Sequence, residues 1–275
     1  MRAAVVLAGL LSVMALGQAA AGETRPRVAA GTICADQFVL ALADRDQIVA
    51  LSPDATSPWV SLMAEQAEGI PQMASSAERY LDAGVEVLVT DAWSDHQTAA
   101  LLERFGVTVV RLPLVEDYDA VADVTRAVAD AIGQTERGEA LASAMRARLD
   151  AVASAPQGRD RAALYLRPGG GTAAAGSFVD TVMTTTGLRN QATQQGLAGW
   201  ASTNLERFIV DPPEVLVTSF FDSPYPGLGQ AFGAHPAFIS RAAGLERADV
   251  PGATWVCAGP ILADAAEHLN KELAR

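Results

Sequence analysis

The residues best suited to bind a ligand are aromatic side chains near the ends of predicted strands. Trp59 follows the second predicted strand, Trp93 follows the first of two similar buried strands, and Trp200, Phe221 and Tyr225 flank the second. In open α/β sheets, ligands bind beyond the carboxyl ends of the strands. Each residue alone is more simply a packing residue, but their joint placement predicts a cleft suited to a large, flat and partly apolar ligand.

Two charged residues, Asp95 and Arg167, also fall at predicted strand ends, where they can orient polar groups of the same ligand. A solvated loop is the alternative for such isolated charges. The sequence contains no G-x-S-x-G, no H-E-x-x-H and no phosphate-binding G-x-x-x-x-G-K-[ST] motif. The adjacent pair Asp95 and His96 is the one candidate for acid–base chemistry. We therefore predict a binding protein with no catalytic residues, no protein-bound metal and no cofactor of its own.

A glycine-rich segment at 167–176 lies between a predicted strand and a predicted helix, so its backbone amides can contact a small anion. Ala174 stands where the dinucleotide-binding pattern G-x-G-x-x-G needs its last glycine, which argues against a dinucleotide site. A mobile or closely packed loop explains the segment equally well.

The chain carries one pattern twice. Segments 77–93 and 205–221 align without a gap at an offset of 128 residues. Each copy predicts a short helix, a turn and a buried parallel strand. A long period seen twice predicts two similar lobes rather than a solenoid. The seven identical pairs are Glu78/Glu206, Arg79/Arg207, Glu86/Glu214, Val87/Val215, Leu88/Leu216, Val89/Val217 and Thr90/Thr218.

Strands and helices alternate on both sides of the first copy. Ser177 is placed to cap a helix that Gly187 ends. A last strand is predicted at 254–259, before a closing helix from Pro260. The other predicted strands cover 27–31, 47–52, 107–114 and 162–167, and the other predicted helices cover 36–43 and 101–106.

Two helices are predicted between the lobes, because apolar residues recur there every three or four positions. The second helix, of about 18 residues and about 27 Å, is the natural connector. The predicted fold class is α/β, with two Rossmann-like lobes of mostly parallel sheets joined by one long helix and a ligand cleft between them. The predicted boundaries are 22–117 for the first lobe, 118–157 for the connecting segment and 158–275 for the second lobe.

Residues 1–21 have the features of a secretory signal peptide: Met1-Arg2, an apolar stretch and Ala19-Ala20-Ala21. The apolar stretch is shorter than the roughly 20 residues of a membrane-spanning helix. We therefore predict export to the periplasm with cleavage near Ala21. A formal net charge of −12 disfavours nucleic acid and anionic membranes as partners. We expect a monomer.

Cys34 and Cys257 are the only cysteines in the sequence. In an oxidising compartment, a single disulfide between them is the first hypothesis. Metal ligation is a weaker alternative, because neither C-x-x-C nor H-x-x-x-H spacing occurs.

Three segments resemble the helical-backbone (class III) substrate-binding proteins of bacterial ABC importers for iron chelates, haem and cobalamin. GWASTNLERFIVDPPEVLVTS (199–219) resembles the Gly-Trp, helix and Asp-Pro-Asp-Val-Ile strand of that family. RVAAGTICADQFVLALADRDQIVALSP (27–53) resembles its opening strand, turn and helix, and GSFVDTVMTTTGLRNQA (176–192) resembles its Phe-Ile-Asp segment.

The resemblance implies that Trp200 faces the ligand and that two lobes joined by a long helix move little around it. It also implies that Glu78 and Glu206 dock onto the two halves of an ABC permease dimer. The alternative for these glutamates is that an acidic residue favours the start of any helix. Because no tyrosine or histidine pair falls in the cleft loops, we do not expect direct ligation of haem iron. A bridge between Cys34 and Cys257 would tie the two lobes together.

The function implied by the resemblance is capture of a ferric chelate of the siderophore type and its delivery to the permease. Cobalamin or another corrinoid is the alternative ligand. Two alternatives come from other classes: an exported hydrolase that uses His96, and a sensor that passes its ligand to a receptor.

Overall fold

The computed structural model describes residues 25–221 and 231–275. The predicted signal peptide (1–21) and Tyr225 lie outside the described residues. In the described part of the chain, no helix combines the length and apolar character needed to cross a membrane.

The first lobe contains four strands and four helices. The strands are β1 (Val28–Ala30), β2 (Ile48–Ala50), β3 (Val87–Asp91) and β4 (Thr108–Leu112). The helices are α1 (Ile33–Leu42), α2 (Ala64–Ala67), α3 (Ala77–Asp82) and α4 (His96–Arg104). Two further helices, α5 (Tyr118–Ala131) and α6 (Thr135–Ser154), lead to the second lobe.

The second lobe contains six strands and five helices within the described residues. The strands are β5 (Ala162–Leu166), β6 (Gly171–Ala173), β7 (Arg189–Asn190), β8 (Trp200–Ser202), β9 (Val215–Thr218) and β10 (Glu246–Asp249). The helices are α7 (Phe178–Thr185), α8 (Gln191–Gln194), α9 (Leu205–Val210), α10 (Pro236–Ala242) and α11 (Leu262–Glu272).

Each lobe is built on a four-stranded parallel sheet. The strand order is β2-β1-β3-β4 in the first lobe and β10-β9-β5-β7 in the second. Read from the other edge, the second order is β7-β5-β9-β10. It is the same as the first order when β1, β2, β3 and β4 are matched with β5, β7, β9 and β10. A small antiparallel pair, β6-β8, completes the second lobe and includes part of the glycine-rich segment. The predicted α/β fold with two lobes of mostly parallel sheets is confirmed.

The repeated segments form equivalent elements in the two lobes. Ser76 caps α3 by accepting the Arg79 amide N–H, and Asn204 caps α9 by accepting the Arg207 amide N–H. The strand that follows each helix, β3 or β9, is buried along its whole length. Interior parallel strands are covered by helices on both faces, which explains why both copies are continuous apolar runs.

Helices α5 and α6 cross between the lobes in opposite directions. Val121 near the start of α5 packs in the core of the second lobe, whereas Ile132 just after its end packs in the core of the first. Helix α6 starts against the first lobe, where Arg137 donates a hydrogen bond to the Leu42 carbonyl at 2.6 Å. It is 20 residues, or about 30 Å, long and ends against the second lobe, where the Gln157 amide N–H donates to Asn270. The predicted connector is therefore α6.

The strand predicted at 254–259 is wrong. A 3₁₀ turn (Gly252–Thr254) and irregular backbone occupy this segment, and the last strand is β10. Within residues 25–221 and 231–275, β10 pairs only with β9 and is an edge strand. Its charged side chains can therefore face solvent, and it lacks an apolar signature. Trp255 is buried in the core of the second lobe, and Cys257 is buried at the cavity between the lobes, although neither residue belongs to a sheet.

The helix predicted between Ser177 and Gly187 is confirmed. The Ser177 hydroxyl oxygen accepts the Asp180 amide N–H at 3.2 Å. Gly187 has a φ of +79° and the Leu188 amide N–H donates to the Met183 carbonyl, which is the usual C-terminal geometry. These two contacts fix the position of Phe178 at the first turn of α7.

Candidate ligand-binding cleft

A cavity of about 430 Å³ lies between the two lobes. The first lobe contributes the ends of β3 and β4, and α5 contributes Val124. The second lobe contributes the residues that follow β5 and β9 and the irregular segment 255–258. Because the carboxyl ends of both parallel sheets point towards it, the cavity occupies the place where open α/β sheets bind ligands.

Aromatic side chains form much of the cavity wall. Trp93 enters from the first lobe and keeps 55% of its surface exposed, and Trp200 enters from the second lobe with 42% exposed. Phe178 meets Trp200 edge to face, with ring centroids 5.2 Å apart. Trp255 is buried and stacks on Tyr165 at 5.3 Å. The two exposed indoles come from opposite lobes, and aromatic rings of this kind can stack on a flat ligand.

Arg167 supplies a positive charge to the cavity from the second lobe. It directly follows β5, and its guanidinium carbon lies 5.1 Å from the ring centroid of Phe220. This contact is a cation–π interaction, which restricts the side chain while leaving its N–H groups available. Arg167 forms no ion pair with any other residue in 25–221 or 231–275.

Phe220 is held in a strained backbone conformation. Its φ is +65°, which a bulky side chain rarely adopts. A Cβ atom on Gly252 would meet the Phe220 ring at 2.4 Å, so glycine at this position is what allows the ring to pack there. Strain of this kind is of order 1–3 kcal/mol and is found most often at functional sites. Here it places an aromatic ring and, through it, Arg167 at the cavity.

Asp91 is the acidic residue of the cavity wall. It ends β3, where it pairs in register with Leu112 of β4, and only 6% of its surface is exposed. Burial raises the pKa of the Asp91 carboxyl, and the Thr32 hydroxyl partly offsets this rise. The Oδ1 atom has no hydrogen-bond partner among the described residues.

Glu116 helps to position Phe178, one of the aromatic residues that line the cavity. Its carboxylate accepts the Phe178 amide N–H at 2.8 Å. Burial raises the pKa of the Glu116 carboxyl, and the Phe178 amide and the nearby Trp200 side chain partly counteract this rise. Glu116 belongs to the segment between β4 and α5, so it ties the first-lobe side of the cavity to α7 of the second lobe.

A second buried carboxyl, Asp36, lies in α1 behind the cavity. It accepts hydrogen bonds from the backbone N–H and the hydroxyl of Ser52. Burial raises the pKa of Asp36 to about 6 despite these two bonds. Asp36 does not line the cavity, and its bonds to Ser52 fasten α1 to the segment that follows β2.

The structure brings together Trp93, Arg167 and Trp200 of the predicted ligand-binding residues. Trp59 is partly exposed next to Val60, which lines the cavity although Trp59 does not. Phe221 is turned away from the cavity and stacks on Phe238 at 6.0 Å. Tyr225 lies outside the described residues.

The predicted residue Asp95 has a local structural role. It caps α4 by accepting the Thr98 amide N–H at 3.2 Å, and it also accepts a hydrogen bond from the Ser75 hydroxyl. These bonds lower the pKa of the Asp95 carboxyl. No hydrogen bond links it to His96 within the described chain, so the geometry provides no acid–base pair there.

Sequence reasoning missed Asp91, Glu116, Phe178 and Trp255. Asp91 carried a usable signal, because it is the polar residue that ends an otherwise apolar strand on the ligand side of the sheet. Glu116, Phe178 and Trp255 carried none, because only the tertiary structure brings their segments to one cavity.

Cys34 and Cys257 form a disulfide, with Cα atoms 5.5 Å apart. Cys34 is in the first turn of α1 and Cys257 is in the irregular segment of the second lobe, so the bond joins the two lobes. Both residues line the cavity. The bond therefore limits how far the cavity walls can separate on that side.

No protein metal site is formed within the described residues, where no group of three or more histidine, cysteine, aspartate or glutamate side chains comes together. The described residues that line the cavity include no histidine and no tyrosine. The described part of the cavity wall therefore offers neither of these side chains as a ligand for haem iron.

Glu78 and Glu206 lie at equivalent exposed positions. Each is in the first turn of its helix, α3 or α9, on the outer surface of its lobe. Across residues 25–221 and 231–275, neither carboxylate forms an ion pair. Both are therefore available to positively charged groups of another protein.

Comparison with solved structures identifies the fold. The chain is similar to a possible iron-binding (periplasmic solute-binding) protein from Staphylococcus epidermidis, with a TM-score of 0.71, 15% identity, and coverage of 91% of this chain and 99% of that one. It is also similar to the haem-binding protein HutB of Vibrio cholerae, with a TM-score of 0.71, 16% identity, and coverage of 91% and 99%. For the vitamin B12-binding protein BtuF of Vibrio cholerae, the TM-score is 0.65, the identity 18% and the coverage 91% and 97%.

The fold is that of the class III substrate-binding proteins. The structural likeness extends over about nine-tenths of the chain, including both lobes. No protein-family model matches the chain, and no curated protein matches it in sequence. The predicted resemblance is confirmed for the fold.

Proposed function

We propose that this chain is an exported substrate-binding protein of an ABC importer and that its ligand is a metal chelate with a flat, largely apolar and weakly charged surface. The observation that carries this proposal is the inter-lobe cavity with one exposed indole from each lobe, Trp93 and Trp200. Stacking between two such rings suits a flat ligand and is independent of its charge. The solved structures of this fold described above bind haem and vitamin B12 or are assigned to iron.

The charges of the cavity narrow the class of chelate. Among the described residues, Arg167 is the one basic side chain of the wall and Asp91 is the one acidic side chain. A strongly anionic chelate, such as a ferric tris-catecholate or ferric citrate, would find too few positive partners to replace its lost hydration. A neutral ferric hydroxamate fits this wall best among siderophore-type chelates.

A corrinoid is the second candidate. The two exposed indoles and the edge-to-face contact of Phe178 with Trp200 are suited to a macrocycle held between two aromatic surfaces. The metal of either ligand is held by the chelate itself, so the protein needs no metal site of its own.

Several observations support the remaining parts of the proposal. A disulfide between the lobes is typical of exported proteins, which agrees with the signal peptide predicted at 1–21. Glu78 and Glu206 are exposed at equivalent sites of the two lobes, as a partner with two-fold symmetry requires. A hydrolase is not favoured, because Asp95 is engaged in capping α4 rather than paired with His96.

Isothermal titration of the chain beginning at Gly22 tests the proposal. The panel contains cobalamin, a neutral ferric trihydroxamate, a ferric tris-catecholate and ferric citrate. We expect saturable binding of cobalamin or the trihydroxamate, and at least tenfold weaker binding of both anionic chelates. Absence of binding across the panel would overturn the proposed ligand class. Tight binding of an anionic chelate alone would overturn the argument from the cavity charges.

A further inference from the structure

The repeat allows a direct comparison of one position in the two lobes. At the offset of 128 residues, Asp91 corresponds to Ser219, and both lie at the carboxyl end of an interior parallel strand. The Ser219 hydroxyl forms a hydrogen bond of 2.7 Å with the Tyr165 hydroxyl. Asp91 Oδ1 has no partner among the described residues. The second lobe thus satisfies this position internally, whereas the first lobe leaves it open.

An unpartnered oxygen of this kind is costly. A buried acceptor that loses its hydrogen bond to water costs about 1–3 kcal/mol, and more when it is charged. Asp91 is more than nine-tenths buried and forms no ion pair within residues 25–221 and 231–275. Asp91 lines the cavity but its Oδ1 atom is covered, so a ligand that enters the cavity and displaces the side chains over Oδ1 is the available source of the missing donor.

The neighbouring wall makes Asp91 a localised polar site. Leu112, which pairs with it in register, and Phe38, Val115 and Val124 are apolar residues of the same cavity. Arg167 enters from the opposite lobe and lies over Phe220. Asp91 is therefore the side chain of the first lobe that can accept a hydrogen bond from a donor group of the ligand at the cavity wall.

We infer that Asp91 orients the ligand by accepting a hydrogen bond from an N–H group of the chelate, either an ammonium or a primary amide. The inference rests on the proposed function and specifies a chemical group that the ligand must carry. Direct coordination of the metal by Asp91 is not favoured, because no further acidic, histidine or cysteine ligands join it within the described residues. The chelate keeps its metal, and Asp91 recognises its periphery.

The test uses two substitutions of Asp91 and two probes. Asp91→Ala removes the acceptor, and Asp91→Asn removes the charge but keeps an amide oxygen as acceptor. The probes are cobalamin, whose periphery carries neutral primary amides, and a linear ferric trihydroxamate with one terminal ammonium. The control is Asp46→Asn, which removes one negative charge from an exposed site that is not part of the cavity wall.

We expect Asp91→Ala to weaken binding of whichever probe the wild-type chain binds by at least about tenfold, as loss of a buried hydrogen bond predicts. For the ammonium probe, Asp91→Asn should weaken binding by a similar factor, and acetylation of the ammonium should weaken wild-type binding. For cobalamin, Asp91→Asn should stay within about threefold of the wild type. The Asp46→Asn chain should bind as the wild type does.

The outcomes separate this inference from the proposed function. Wild-type binding that survives unchanged in both Asp91 variants would overturn the inference and leave the proposed function standing. A wild-type chain that binds the neutral trihydroxamate but neither probe would overturn the inference alone, whereas absence of binding across the whole panel would overturn the proposed function and the inference with it. Thermal melts of each variant establish that it is folded, and loss of folding in Asp91→Ala would leave the Asp91→Asn result and the acetylated probe to decide.

Discussion

The two lobes share one strand order but bury different kinds of polar group. The first lobe buries two carboxyls, Asp36 and Asp91, and burial raises the pKa of both. Within the described residues, the buried polar side chains of the second lobe are hydroxyls and amides, such as Ser219 and Asn190. Ser219 bonds to the Tyr165 hydroxyl and Asn190 donates to the Ala173 carbonyl, whereas Gln191 Oε1 has no partner among the described residues.

This difference shows that the same strand order can bury groups that do not titrate in one lobe and carboxyls that do titrate in the other. The hydroxyl and amide groups that the second lobe buries do not titrate, so they keep their character over a wide pH range. Burial raises the pKa of both carboxyls, so they make the first lobe less stable at neutral pH than at acidic pH, where both are protonated. Because Asp91 lines the cavity, the cost is incurred where a ligand can offset it.

The largest effect that we expect concerns Glu78 and Glu206, which are exposed at equivalent positions of the two lobes. Glu78→Ala combined with Glu206→Ala should abolish uptake of the ligand by cells and leave its affinity for the isolated chain unchanged, because both carboxylates are exposed and far from any stabilising ion pair in the described structure. Each single substitution should retain part of the uptake. The measurement is accumulation of the labelled chelate in cells that carry the importer.

A matched control for this experiment is available. Glu65 and Glu136 are also exposed glutamates in the first turn of a helix. The double variant Glu65→Ala with Glu136→Ala should transport normally. Normal transport in the Glu78/Glu206 variant would disprove the docking role and leave these glutamates as helix-favouring residues.

The next effect is a pH dependence confined to the first lobe. Burial raises the pKa of Asp36 to about 6 in the folded chain from the 3.8 of an unperturbed aspartate, so the folded form holds its proton to higher pH. The stabilising contribution of this group is complete below about pH 4 and is lost as the pH rises to about 6. The loss amounts to at most about 3 kcal/mol at 1.36 kcal/mol per pKa unit.

Urea unfolding of the wild type and of Asp36→Asn between pH 4 and pH 7 measures this contribution. Asparagine can keep both bonds to Ser52 but does not titrate. The difference in unfolding free energy between the two chains should therefore shift in favour of Asp36→Asn as the pH rises. A difference that is constant over this range would show that Asp36 has an ordinary pKa.

A tenfold effect is expected at the two exposed indoles. Trp93→Ala and Trp200→Ala should each weaken ligand binding by about tenfold or more, because each removes one aromatic face of the cavity. Trp59→Ala should change the affinity less than twofold, because Trp59 does not line the cavity. Titration calorimetry of the three variants tests the contrast, and an equal loss in all three would place the ligand outside the cavity described above.

The smallest effect is expected in the second lobe. Tyr165→Phe removes the partner of the Ser219 hydroxyl and should lower the free energy of unfolding by about 1–2 kcal/mol. Adding Ser219→Ala should restore part of this loss, because no buried hydroxyl is then left without a partner. Chemical unfolding of the two single variants and the double variant provides the cycle, and strictly additive losses would show that the hydrogen bond contributes nothing.

The sequence predicted the fold well because its signals were local. The repeated apolar runs at β3 and β9 and the cap at Ser177 depend on nearby residues, and each was recovered in the structure. The final strand was misplaced for the opposite reason. Charged β10 is an edge strand, whereas apolar Trp255 packs in the core of the second lobe and Cys257 is bonded to the first lobe, both in irregular backbone.

The site was only partly predictable. Trp93, Arg167 and Trp200 line the cavity, as their positions near strand ends suggested. Phe221 faces away because the neighbouring residue Phe220 adopts a positive φ and takes the place in the wall. Whether Phe220 or Phe221 faces the cavity depends on the backbone conformation and on packing against Gly252. The hydrophobic periodicity of the sequence does not reveal either.

The sequence by itself determined the two-lobed α/β plan, because burial of strands between helices requires apolar runs that can be recognised wherever they occur. It also determined that the two lobes are related and that each presents an exposed glutamate. Only the tertiary structure decided which side chains face the cavity, that the Glu116 carboxylate accepts the Phe178 amide N–H, and that Asp91 Oδ1 is left without a partner. The physical reason is that hydrogen-bond satisfaction depends on distances between segments far apart in the chain, which are set when the lobes pack together.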